Sequence, residues 1–85
     1  MVDFEELDGL RRAESQRRVL LCLVENGGAI SSKEVADKLS MTLNAVNIAL
    51  FNLHNKGLVD RISRGVYRYK LEPILLTLLE EYFGR

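Results

Sequence analysis

Ser31-Ser32-Lys33-Glu34 opens one helix, and Ser40-Met41-Thr42 ends it and opens another. In the first, the Ser31 side chain caps the free amides of the opening turn while Glu34 reaches back to a free amide, the reciprocal pattern of a capping box. That helix is short. It ends at Leu39 and buries Val35, Ala36 and Leu39. Residues 40–42 form a tight turn, and Thr42 is a good cap for a longer helix that runs to about Lys56, where Gly57 stops it. The middle of the chain is therefore committed to helix, tight turn, helix, and the rest must pack around it.

Upstream, the spacing of Val19, Leu20, Leu23 and Val24 predicts a helix over about 14–25, stopped at Asn26-Gly27-Gly28, and Ala29-Ile30 suits a short strand. Downstream, Leu58 to Ile62 and Val66 to Leu71 alternate around Ser63-Arg64-Gly65, the pattern of a short hairpin. Pro73 suits the first turn of a last helix that ends at Phe83. With 85 residues the chain is one domain. The expected architecture is mainly α with a small β-hairpin, a core over residues 14–71 and a C-terminal helix over 72–85.

Formal net charge is zero, yet the charge is unevenly spread. From Arg11 to Lys70 there are 11 basic and 5 acidic residues, a net +6, and the acids that balance them lie at the two ends. A basic middle between acidic ends suits one anion-facing surface, and equally suits solvated charge on helix faces. Cys22 has no partner for an internal disulfide, and a single histidine, His54, leaves no cluster with metal-ligand spacing. No apolar run reaches the ~20 residues of a membrane span. The acidic opening (Asp3, Glu5, Glu6, Asp8) is the reverse of a signal peptide's, so a cytoplasmic protein without metal or cofactor is expected.

Ser31-x-x-Glu34-Val35-Ala36-x-x-Leu39-Ser40-Met41-Thr42, followed by Val46, Leu50, Leu53 and Lys56-Gly57-Leu58-Val59-Asp60-Arg61, resembles the winged helix-turn-helix pattern of small prokaryotic transcription regulators such as the MarR-like and ArsR-like groups. Arg64-Gly65-Val66-Tyr67 looks like their wing, and the resemblance spans about Arg17 to Leu71. It implies a fold, winged helix-turn-helix with extra N- and C-terminal helical segments. It also implies a function, sequence-specific binding of double-stranded DNA by a homodimeric regulator. The second helix, Thr42 to Lys56, would then enter the major groove while the wing meets the backbone or minor groove. The same fold also serves as a protein-interaction module, which stands as the alternative.

A helix buried through Val46, Leu50 and Leu53 turns Asn44, Asn47, Ile48, Phe51 and Asn55 outward. Four of the five asparagines (Asn44, Asn47, Asn52, Asn55) lie in this helix although asparagine is a poor helix former. An asparagine amide donates and accepts together to adenine, and Ile48 suits a thymine methyl. The candidate DNA-contacting set is Thr42, Asn44, Asn47, Ile48 and Phe51 on the helix with Arg61, Arg64, Arg68 and Lys70 on the wing. Asparagines that are merely neutral polar residues facing water, and cations that protect an exposed strand edge, are the plainer readings of the same residues. Nothing basic lies between Thr42 and Asn55, so Ile48 and Phe51 also fit a protein contact.

Ile74, Leu75, Leu76, Leu78, Leu79, Tyr82 and Phe83 exceed what one helix face holds, and the surplus points to the same helix of a second subunit. The dimerisation set is Ile74, Leu75, Leu78, Leu79, Tyr82 and Phe83, with Phe4, Leu7 and Leu10 able to join from an N-terminal helical segment. A monomer whose terminal segments cover each other fits as well. Catalysis is not expected. Cys22 sits in an apolar run, His54 has no partner for general-base work, and there is no phosphate loop or carboxylate pair.

Overall fold

In the computed structural model, residues 4–70 and Leu78 are described, with side chains from Arg12 onward. The order is α1 (Phe4–Asn26), β1 (Ile30–Ser31), α2 (Ser32–Leu39), α3 (Leu43–Asn55), β2 (Val59–Ser63) and β3 (Val66–Tyr69). This is the winged helix-turn-helix arrangement the central segment implied. Of the expected dimerisation set, only Leu78 is described: it is helical and exposed. Ile74, Leu75, Leu79, Tyr82 and Phe83, together with the rest of the C-terminal helix, lie outside the described residues.

α2 and α3 begin where local chemistry sets them. Ser31 stays extended and its Oγ accepts the Glu34 amide at 3.1 Å. The return arm of the box differs from expectation. Glu34 Oε1 accepts from the Ser31 hydroxyl at 3.4 Å rather than from a backbone amide, and Ser31 is also the end of β1, paired with Val66. At the far end of α2, Ser40 turns into the left-handed region (φ 54°) and its amide returns to the Ala36 carbonyl. Thr42 Oγ1 then accepts the Ala45 amide at 3.1 Å and starts α3. α3 ends in a paired carbonyl capture: Gly57 N–H donates to His54 at 3.0 Å and Leu58 N–H to Leu53 at 3.0 Å, with Gly57 at φ 76°. Ser31→Ala will cost about 1 kcal/mol by urea denaturation, since it removes the acceptor for an amide the helix cannot otherwise satisfy.

α1 is longer than the apolar spacing predicted, starting at Phe4 rather than Glu14. Glu5, Glu6, Leu7, Leu10, Arg11, Arg12 and Ala13 are strong helix formers, which suits the continuation of the helix upstream of Glu14. The stripe also differs. Val19, Cys22 and Leu23 are buried, whereas Val24, about 140° round the helix from Val19, is exposed. These residues meet Val35 and Ala36 of α2, Val46, Ala49, Leu50 and Leu53 of α3, and Ile30 and Val59 of the sheet in one core.

The sheet has the order β1-β3-β2, all antiparallel, so the last strand in sequence is the central one. β2 and β3 reverse at Arg64-Gly65, where Gly65 takes φ 75°. Register slips between Arg61 and Ser63, leaving Ile62 as an extra residue in β2. The Gly65 carbonyl accepts the Ser32 amide at 2.8 Å and fastens the wing to the first turn of α2.

Candidate nucleic-acid interface

α3 carries Val46, Ala49, Leu50 and Leu53 inward, which fixes what its other side can present. Asn44, Asn47, Ile48, Phe51, His54 and Asn55 are all exposed. Spacings of three and four residues join Asn44 to Asn47 and Ile48, those two to Phe51, and Phe51 to His54 and Asn55, so they form one continuous face. The helix contains no acidic residue and no Lys or Arg. Phe51 is the most exposed large apolar side chain among the described residues at 63%, and Ile48 follows it on the same face at 48%. Thr42 stands at the head of this face, but its hydroxyl already serves the Ala45 amide.

Asn52 departs from its helix neighbours. It is half-buried and lines an apolar groove of about 140 Å³ between α1 and α3 with Arg12, Ser15, Gln16, Ala45 and Ile48. At the end of that groove Lys56 Nζ donates to Gln16 Oε1 at 2.6 Å, tying the C-terminus of α3 to α1. Arg18 makes a similar tie to the motif's other helix, its Nη2 donating to the Leu39 carbonyl at 2.9 Å. Neither tie was legible in the sequence: the partners lie 40 and 21 residues apart, and no local pattern links them.

The wing cations do not form one set. Cross-strand pairing sets Arg61 opposite Tyr67, on the face that carries buried Val59, while Arg68 stands opposite Asp60 on the other face. Lys70 forms an ion pair with Asp60 at 3.2 Å, so its charge is already matched. Arg61, Arg64 and Arg68 are exposed, Arg64 in the two-residue turn at the tip. Strand alternation alone groups Lys70 with them, because it counts faces and not the partner on the neighbouring strand.

Cys22 is buried in the core, and desolvation pushes its thiol pKa up, Lys38 offsetting this only in part. A thiol held protonated is a packing residue rather than a nucleophile. Among the described residues no group of three His, Cys, Asp or Glu converges to hold a metal ion, and no helix is long and apolar enough to cross a membrane.

Compared with known families, residues 12–60 match a family model described as winged helix-turn-helix DNA-binding. The match runs from Arg12 within α1 through α2 and α3 to the start of β2, more than half of the chain. Among curated proteins none matches.

Proposed function

Because the chain belongs to the winged helix-turn-helix DNA-binding family, we propose that it regulates transcription as a homodimer that reads a specific sequence in double-stranded DNA. The observation that carries this reading is the exposed face of α3, rich in amides and free of charge, on the same small domain as three exposed wing arginines. Base edges in the major groove call for amide donors and acceptors, while phosphates call for guanidinium groups. Asn44 and Asn47 are the base-reading pair, and Arg61, Arg64 and Arg68 hold the backbone.

Affinity for mixed duplex DNA, followed by fluorescence anisotropy, will fall linearly with salt on logarithmic axes, because each neutralised phosphate releases counterions. A flat salt response, or no binding at low salt, removes the reading. Asn47→Ala will shrink the preference for the best site over a scrambled duplex by about 1–3 kcal/mol while leaving non-specific binding unchanged.

Dimerisation draws its support from the apolar content of residues 74–83 and from the exposed, helical Leu78. Two subunits also double the phosphate contacts available to a domain with few cations. Leu78→Asp will convert a sedimenting dimer to monomer. A parent chain that sediments as a monomer at all concentrations rules the dimer out.

A second reading, docking on a protein, draws on the exposure of Ile48 and Phe51. It requires a pull-down that Arg64→Ala leaves intact and Phe51→Ala abolishes.

A further inference from the structure

The geometry points to a row of thymine methyl groups as what the Ile48–Phe51 pair meets, an inference that rests on DNA binding by α3. Two large apolar side chains at 48% and 63% exposure lie side by side on a helix whose opposite face alone supplies the core. Neither belongs to the buried core, and although Ile48 borders the groove between α1 and α3, both leave apolar surface in water. Their surroundings narrow the choice of occupant. Asn44, Asn47 and Asn55 frame the pair, the helix has no carboxylate to repel phosphate, and exposed arginines stand on the adjoining hairpin. Amides beside an apolar pair, with cations outside them, complement one surface in particular. The major-groove edge of an A·T pair offers an acceptor and a donor on adenine and a methyl group on thymine.

Spacing agrees with that surface. Residues three apart on a helix are separated by about 4.5 Å along its axis, and successive bases on a strand by about 3.4 Å. Ile48 and Phe51 can therefore meet methyl groups on neighbouring base pairs while Asn44 and Asn47 address the adenines. A G·C pair lacks the methyl group, so discrimination comes from lost apolar burial as well as from unpaired amides.

Removing that one group from the DNA is the test. The full chain selects its tightest duplex from a randomised pool, and each thymine in that duplex is then replaced by deoxyuridine, which deletes the C5 methyl and leaves base pairing intact. At one or two positions affinity should fall about fourfold per methyl, the effect of one buried methyl-sized group. Phe51→Ala should bind the thymine and deoxyuridine duplexes equally at one of those positions. Phe51 is exposed, so the variant keeps its fold, and its thermal melt verifies this. Equal affinity of the parent for every substituted duplex overturns the inference and leaves DNA binding standing. So does a dependence on one and the same methyl that survives in both Phe51→Ala and Ile48→Ala, because neither side chain then meets it. If no duplex is enriched at any salt concentration, both the inference and the DNA-binding reading fall.

Discussion

Replacing Arg61, Arg64 and Arg68 together with glutamine will flatten the salt dependence of DNA binding and weaken it by about two orders of magnitude at 0.1 M salt. Each phosphate contact contributes about 0.9 to the slope of log K against log salt, so three lost contacts lower it by about 2.7 for each DNA-bound subunit, and the weakening is likewise that of one subunit. All three side chains are exposed, and among the described residues none closes a side-chain hydrogen bond or ion pair. The variant should therefore melt like the parent, and the loss belongs to binding alone. Lys70→Gln provides the contrast. Its ammonium is already paired with Asp60, so its removal should change the slope by much less than one unit. A triple variant with the parent's slope would mean that the wing does not touch the backbone.

Leu50→Ala will take away a large part of the stability of the domain. Leu50 is fully buried in α3 between Val46 and Leu53, where the helix-turn-helix meets α1 and the sheet. Truncating such a leucine costs about 2–5 kcal/mol, through lost burial and the cavity left behind. A domain this small sits near the lower end of the usual 5–15 kcal/mol, so about half or more of its stability is at stake. Urea denaturation at matched protein concentration reads the change. Phe51→Ala, one residue along, should shift the midpoint by less than about 0.5 kcal/mol because that side chain faces water. Equal effects at the two positions would mean that α3 is rotated from its described orientation.

What the sequence revealed follows the range over which each interaction acts. The starts of α2 and α3 were legible because a hydroxyl three residues from an amide decides them. The outward face of α3 was legible because helical period alone assigns it once Val46, Leu50 and Leu53 are known to be inside. Long-range pairings were not. At α1 only the continuity was missed: the N-terminal helical segment expected around Phe4, Leu7 and Leu10 runs on without a break into the helix over 14–25. Val24 was misassigned to the stripe because all six positions from Val19 to Val24 are apolar and allow more than one buried arc, and only the packing partner selects it. Of the candidate site, the α3 residues came together on one face as expected. The wing cations divided between two faces, since the register of β2 against β3 decides which side each occupies.

The hydrogen bond from the Ser32 amide to the Gly65 carbonyl makes one proton a reporter of the whole wing. As the first residue of α2, Ser32 would ordinarily carry an unpaired amide in rapid exchange with solvent. Here that proton is protected only while the hairpin tip stays seated. Its deuterium exchange rate therefore measures how often the wing lifts away from the helices, at an atom outside the surface assigned to DNA. If DNA clamps the arginine-bearing tip, Ser32 should exchange more slowly in the complex. The same resonance then records occupancy of the wing separately from occupancy of α3.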